Sequence, residues 1–184
     1  MSVVSPKFRV SFPNVFQARL NELNGKEEYS VKALFPAGAD LSALKEAAQA
    51  AIVKKWGDDK AKWPANLRTP FRPHEDAAKE GVLPAGHEEG GVFINLKANR
   101  RPQVVNEAVQ PILDETEFYA GCYARADINA YAYDQKGNRG VAFGLNSIQK
   151  MGDGESLGGG RPAEQACKAV EGAETTNSSD DLFS

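Results

Sequence analysis

Residues 121–134 read GCYARADINAYAYD, and this stretch decides the fold. Its even positions are small or apolar, whereas its odd positions are polar, charged or aromatic. Alternation with a period of two is typical of a strand with one buried face, and small inward side chains fit the cramped interior of a small barrel. A turn at 136–138 and a return strand at 139–149 are predicted next. The inward parity of the return strand changes near Ser147, which indicates a β-bulge.

Three other segments, 7–12, 29–35 and 92–98, alternate in the same way and predict further strands. In the first segment the predicted inward face holds Phe8, Val10 and Phe12. In the last segment the predicted outward face holds Phe93, Asn95 and Lys97.

An amphipathic stretch between the second and third of these strands predicts one helix, with Asp40 as its N-cap and Gly57 after its last turn. Residues 56–91 are rich in proline, lysine and arginine and predict a long loop region with a short helix near 75–80. These elements together favour a mainly β protein with some α structure. The expected fold is an OB-fold, a partly open five-stranded Greek-key barrel with an inserted helix and a long loop region.

The last twenty-three residues, 162–184, differ in composition from the rest of the chain. They hold five carboxylates and one lysine, a net charge of −4, so residues 1–161 carry +1 when the whole chain carries −3. A segment this polar cannot bury enough apolar surface to offset its ordering entropy. We therefore expect the OB-fold domain at 1–161 and a flexible acidic tail at 162–184. The partner-binding residues of the tail are expected to be Asp180, Asp181, Leu182 and Phe183.

Membrane, cofactor and metal signals are weak in this sequence. No apolar run approaches the roughly 20 residues that a bilayer-spanning helix needs, and the N-terminal residues lack the hydrophobic stretch of a signal peptide. The sequence therefore predicts a cytoplasmic protein without a membrane partner. It also predicts no cofactor and no metal, since His74 and His87 match no zinc or catalytic-triad spacing and no Gly-Lys-Ser/Thr motif is present.

Aromatic and cationic side chains are interleaved on the predicted outward faces. Bases of single-stranded nucleic acid stack on such rings for about 1–3 kcal/mol each, while lysine and arginine neutralise the phosphates. Neither contact depends on base sequence. We therefore predict a single-stranded DNA site formed by Lys7, Arg9, Lys32, Phe93, Lys97, Arg100, Arg101, Tyr123, Arg125, Tyr131, Tyr133, Lys136 and Arg139.

Parity alone leaves open which of these rings pack under the helix or under residues 56–91. For Trp63, Arg68, Phe71 and Arg72 in that region, the sequence favours a satellite core beneath a long loop. Two rival functions are also open. A metal-dependent nuclease would hold magnesium through carboxylates such as Asp114, Glu115, Glu117 and Asp127. A strand-annealing protein would present the same cationic surface for DNA but would act as a closed, ring-shaped oligomer.

Several motifs resemble a family of tailed-phage replicative single-stranded DNA-binding proteins; they lie at 101–105, 118–123, 127–134, 137–145 and 149–159. The resemblance implies an OB-fold barrel that coats single strands during phage replication and recombination in the host cytoplasm. It also implies that the acidic tail recruits phage replication proteins, a polymerase or a helicase, and competes with DNA for the basic groove. In the bacterial single-stranded DNA-binding proteins, two acidic residues precede a terminal Pro-Phe. Here the terminal residues contain no proline, and Ser184 follows Phe183.

Overall fold

The computed structural model describes residues 2–157. Within this part the chain forms one α-helix, α1 (Ser42–Trp56), and eight strands, namely β1 (Ser2–Val4), β2 (Phe8–Asn21), β3 (Lys26–Phe35), β4 (Arg72–Pro73), β5 (Val92–Ala98), β6 (Gln103–Val105), β7 (Tyr123–Gln135) and β8 (Asn138–Gly152). The predicted tail, 162–184, lies outside the described residues, and so do its proposed partner-binding residues Asp180, Asp181, Leu182 and Phe183.

Five strands form a ring in the order β7, β2, β3, β5 and β8, and β8 pairs with β7 to complete it. The neighbours are antiparallel except for β5 and β8, which run parallel. Two seams of the ring are short, because β2 pairs with β7 at two positions and β5 pairs with β8 at two positions. This strand order confirms the predicted OB-fold, a partly open five-stranded Greek-key barrel.

The hydrophobic core lies inside this ring. The inner face of β7 carries mostly small side chains, and those of Ala124, Ala126 and Ile128 are fully buried. Larger side chains fill the space opposite, where the rings of Phe8 and Phe35 meet edge to face at 5.6 Å between centroids. The helix packs its buried residues Leu44 and Ala48 into this core, as its apolar stripe predicted.

The start of the helix differs from the prediction. The carboxylate of Asp40 accepts hydrogen bonds from the backbone N–H of Ser42 at 3.0 Å and from its hydroxyl at 2.7 Å. These bonds close a turn before the helix, so the N-cap position falls on Leu41 and Asp40 does not cap. The short helix predicted near 75–80 is instead a 3₁₀ turn at His74–Ala77.

Two bulges shift the faces of the strands. The predicted bulge in β8 is confirmed, since Asp127 pairs with Ser147 while Ile128 pairs with Leu145. A second bulge lies in β2, where the register with β3 changes between Ser11 and Asn14. Inside it Phe12 adopts a φ of +46° and is 69% exposed. The prediction that Phe12 faces inward is therefore wrong, because the bulge turns its side chain out of the alternation.

The segment after β8 folds back onto the start of β7. The hydroxyl of Tyr119 donates a hydrogen bond to Asp153 at 2.9 Å, and Lys150 forms a salt bridge with the same carboxylate at 2.7 Å. The backbone N–H of Leu157 donates to the carbonyl of Ala120 at 3.0 Å. These contacts hold residues 153–157 against the body of the protein.

Gly121 is crowded at the junction of these segments. Its φ is +115°, its N–H donates to the carbonyl of Val10 at 2.8 Å, and an added Cβ would collide with the carbonyl oxygen of Glu155. We expect Gly121→Ala to lower the free energy of unfolding by roughly 2–4 kcal/mol, measured by urea denaturation, because both backbone strain and a clash are introduced.

Gly152→Ala is the matched control, since a Cβ at Gly152 would meet no atom within 4 Å. Its free energy of unfolding should stay within about 0.5 kcal/mol of the wild-type value. Equal losses in the two variants would contradict the prediction.

Candidate nucleic-acid interface

An open groove of about 1000 Å³ crosses the outer face of the ring over β5, β8 and β7. A row of paired residues crosses the sheet at this place: Ser30 pairs with Lys97, Lys97 with Gly144, and Gly144 with Asn129. The floor over β8 is formed by Ala142 and Gly144. The side chain of Asn129 lies over Gly144, with its Oδ1 3.1 Å from the place of an added Cβ, so the floor there is formed by a side-chain amide resting on a small residue.

Two tyrosines from β7, Tyr131 and Tyr133, stand beside this floor. Tyr131 is 42% exposed and Tyr133 is half-buried. Burial raises the pKa of Tyr131, and the nearby Glu28 and Tyr133 raise it further. The phenol therefore stays neutral near pH 7, and its ring offers a flat surface on which a base can stack.

Cations dominate the charge of the groove. Among the described residues, the charged side chains that line it are five cations and one carboxylate, namely Lys26, Arg72, Lys97, Arg100, Arg101 and Glu28. Arg100 and Arg101 are exposed in the loop after β5, and the guanidinium of Arg101 lies 5.8 Å from the ring centroid of Phe16. The groove is therefore suited to a polyanion.

Glu28 belongs to the structure of the groove, and its carboxylate offsets one of the five positive charges. Its carboxylate accepts hydrogen bonds from the side-chain amides of Asn21 and Asn24, each at 3.0 Å, and lies 3.5 Å from the ammonium of Lys97. Burial acts to raise the pKa of Glu28, but the two amides and Lys97 outweigh it, so the pKa lies below its ordinary value. Glu28 thus orders the β2–β3 turn and orients Lys97.

A second aromatic and cationic cluster lies outside the groove. The ammonium of Lys7 lies 5.3 Å, and the guanidinium of Arg9 5.8 Å, from the ring centroid of Tyr123. The guanidinium of Arg9 donates to the carbonyl oxygens of Gly121 at 3.2 Å and Glu155 at 2.6 Å. Arg9 therefore holds the folded-back segment, and the three predicted residues Lys7, Arg9 and Tyr123 do not line the groove.

Phe93 is a correction to the predicted site. It faces outward as its parity predicted, yet it is only 5% exposed. The rings of His74 and His87 cover it, with centroids 6.3 Å and 6.0 Å away. The prediction that Phe93 presents an exposed ring is wrong, because residues of the 56–91 loop region cover it. The alternation of a strand does not indicate which distant segments pack on its outer face. The ammonium of Lys32 rests 4.1 Å from the centroid of the same ring.

The other three predicted cations also lie away from the groove lining. Arg125 donates a hydrogen bond to the side chain of Gln149 at 2.8 Å. Arg139 forms a salt bridge with Asp134 at 3.2 Å, and Lys136 is exposed in the tight turn that joins β7 to β8. The structure therefore brings together Lys97, Arg100, Arg101, Tyr131 and Tyr133 from the predicted set.

Some groove residues were missed by the sequence analysis. Arg72 was expected in a satellite core, but it lines the groove, whereas its neighbour Phe71 does pack on Phe143 at 5.8 Å between ring centroids. The small residues of the floor could have been predicted, because Ala142 and Gly144 alternate with the large inward residues of β8 and so belong to its outer face. Arg72 had no such signal, because its position depends on the long-range pairing of β4 with β5. Lys26 lies at the start of β3, before the first residue of the alternating segment predicted at 29–35.

The carboxylates of the nuclease alternative serve local turns and pairs. Asp114 accepts hydrogen bonds from the backbone N–H of Thr116 at 2.9 Å and from its hydroxyl at 2.7 Å, and Asp127 accepts one from Asn146 at 3.2 Å. Within residues 2–157, no three histidine, cysteine, aspartate or glutamate side chains are grouped so that they could hold a metal ion. In the same part of the chain, the helix is too short and polar to cross a bilayer.

The groove extends from β5, β8 and β7 to β3 and to the β2–β3 turn. In chain order, β3 and β5 are the second and third of the five barrel strands. This is the ligand-binding face of OB-folds, so the fold and the groove define an OB-fold protein of the oligonucleotide-binding class. A family model described as "Enterobacter phage Enc34, ssDNA-binding protein" matches residues 1–182. The chain belongs to this family, and the resemblance seen in its motifs is confirmed.

Solved structures confirm the fold. The single-stranded DNA-binding protein of bacteriophage Enc34 in complex with ssDNA superposes with a TM-score of 0.67 at 21% identity, covering 85% of this chain and 89% of that one. The single-stranded DNA-binding protein gp2.5 of bacteriophage T7 gives a TM-score of 0.57 at 13% identity, covering 88% and 97%. Protein p50 of Acyrthosiphon pisum secondary endosymbiont phage 1 is 24% identical over 169 residues, which are 87% of this chain and 88% of that protein.

His87, which packs on Phe93 together with His74, should make the free energy of unfolding depend on pH. Burial lowers the pKa of His87, and electrostatic interactions with Lys32 and His74 lower it further. The unfolded chain therefore binds a proton more readily than the folded one. The contribution of neutral His87 to the free energy of unfolding is therefore complete above about pH 6.5, the pKa of an unperturbed histidine. It is lost as the pH falls through the lower pKa that His87 has in the folded protein.

We expect the melting temperature to fall between pH 7.5 and pH 5.5, measured by thermal unfolding, and to fall less in His87→Gln. The variant loses the titrating ring, so the difference between the two proteins isolates its contribution. An identical pH dependence in the two proteins would contradict the prediction.

Proposed function

We propose that this protein binds single-stranded DNA along the groove without sequence preference and coats strands exposed during phage DNA replication and recombination, in the host cytoplasm. One observation carries the proposal: exposed tyrosine rings and a surplus of cations share a small-residue floor on the ligand face of an OB-fold. The family to which the chain belongs supports the same function.

The groove divides the contacts between bases and phosphates. Tyr131 and Tyr133 offer faces on which unpaired bases stack, and stacking is available to all four bases. Lys97, Arg72 and the Arg100–Arg101 loop surround the same floor and neutralise phosphates. Because phosphates are identical along a strand, these contacts position the polymer but do not read its sequence.

We further propose that the acidic tail recruits phage replication proteins, such as a polymerase or a helicase, and competes with DNA for the groove. The charge distribution supports this, since residues 162–184 carry −4 against +1 for residues 1–161. The end of the tail offers Asp180, Asp181, Leu182 and Phe183, a combination of charge and apolar surface that a partner protein can recognise.

Fluorescence titration with homopolymer strands at several salt concentrations tests the binding function. Single strands release counterions with a slope of about −0.7 per phosphate neutralised, so the groove cations predict a slope of about −3 in log affinity against log salt. Tyr131→Ala should weaken binding to single strands by roughly 10-fold, because one stacking surface is lost, while Tyr131→Phe should bind nearly as the wild type does.

The same titration with duplex DNA is the control, because paired bases cannot stack on a side chain. A flat salt dependence, or equal losses on single strands and duplex, would overturn the assignment of the groove. Light scattering of the free protein separates this function from strand annealing, which predicts a large closed ring.

Deletion of residues 174–184 should tighten DNA binding several-fold at low salt, since it removes the three carboxylates of Glu174, Asp180 and Asp181, which compete with the polyanion for the groove. The gain should disappear at high salt, where charges are screened. Asp180→Asn with Asp181→Asn is the matched variant that keeps the tail length. Weaker binding after deletion would show that the tail takes part in holding DNA.

A further inference from the structure

Phe12 is an exposed ring in a backbone conformation that disfavours it. Its φ of +46° lies in the left-handed region, which bulky side chains rarely occupy. The side-chain amide of Asn14 donates to the carbonyl of Phe12 at 3.3 Å and to the hydroxyl of Ser30 at 3.5 Å, so the bulge is tied to β3. A fold that holds a phenylalanine outward at a conformational cost suggests that the ring has a ligand.

One cation, Lys32, lies beside this ring, and it converges with a second, Arg72, on the ring of Phe93. The ammonium of Lys32 is 5.9 Å from the ring centroid of Phe12 and 4.1 Å from that of Phe93. The guanidinium of Arg72 is 5.6 Å from the centroid of Phe93, on which both cations therefore converge. The Nε of Arg72 forms an exposed salt bridge with Asp76 at 3.0 Å, a kind of pair that contributes little.

The pKa of Lys32 agrees with this crowding. Burial lowers it, and the positive charge of Arg72 lowers it further. An anion placed between the two cations would offset their repulsion and restore the affinity of Lys32 for its proton.

We propose that Phe12, Lys32 and Arg72 form a further nucleotide subsite for single-stranded DNA, in which the ring of Phe12 stacks one base and the two cations hold the adjoining phosphate. This inference rests on the proposed function and extends it to an aromatic side chain on β2. Phe93 does not touch the base; with His74 and His87 behind it, it is the buried support on which the cations rest.

The subsite is continuous with the groove. Lys32 pairs with Asn95, which lines the groove together with Arg72, and Ser11 beside Phe12 pairs with Lys32. From β2 across β3, β5 and β8 to Tyr131 on β7 there are four strand spacings, about 19 Å in total. A strand bound from Tyr131 to Phe12 along this path would therefore wind over the outer surface of β8, β5 and β3.

The test uses the full chain and homopolymer strands of roughly 12 nucleotides, within the site size of one OB-fold. Phe12→Ala should lower the affinity 3- to 10-fold. Phe12→Trp should retain it, and its added indole fluorescence should be quenched by the strand beyond the quenching seen in the wild type. Leu113→Ala is the matched control, because Leu113 is an 81% exposed apolar side chain outside the groove lining.

The outcomes separate this inference from the function on which it rests. If the wild type fails to bind single strands, the proposed function fails. If the wild type and Tyr131→Ala behave as expected but Phe12→Ala binds as the wild type does, this inference alone is overturned. A loss in Phe12→Ala without added quenching in Phe12→Trp would overturn stacking on the ring. Thermal unfolding of each variant verifies that it is folded.

Discussion

The small side chains on the inner face of β7 are the constraint on which the rest of the structure depends. Ala124 and Ala126 let this strand pass closely over Phe8 and the other large side chains of the core, so that β7 reaches β2 on one side and β8 on the other. That double pairing completes the ring. The outer face of the same strand then presents Tyr131 and Tyr133 beside the alanine and glycine floor of β8.

Much of the fold could be predicted from the sequence because half-buried strands repeat every two residues. The five strands of the ring, the bulge in β8 and the barrel follow from that period, whereas the short strands β1, β4 and β6 gave no such signal. The errors have local physical causes. Phe12 was assigned to the wrong face because a bulge inserts residues that parity does not count, and Phe93 was assigned an exposed ring because a distant segment covers it. Arg72 reached the groove through pairing of a two-residue strand, for which no periodic signal exists.

The motif residues that carry the family resemblance serve two different purposes. Tyr131 and Gly144 form the groove, whereas Tyr119, Lys150 and Asp153 hold the segment after β8 against the body. A pattern of sequence similarity therefore marks positions that the fold needs as well as positions that meet the ligand. Only the geometry separates the two groups. It also places Arg9, whose guanidinium donates to two carbonyl oxygens, among the residues that hold the fold.

The short parallel seam between β5 and β8 has a consequence for the behaviour of the loaded protein. A polymer that lies across the groove bridges this seam from the outside, and any ligand that binds only the folded state adds to its stability by mass action. A bound polymer would thus fasten the barrel at one of its two shortest seams. A molecule without a bound polymer lacks this support and should unfold more readily.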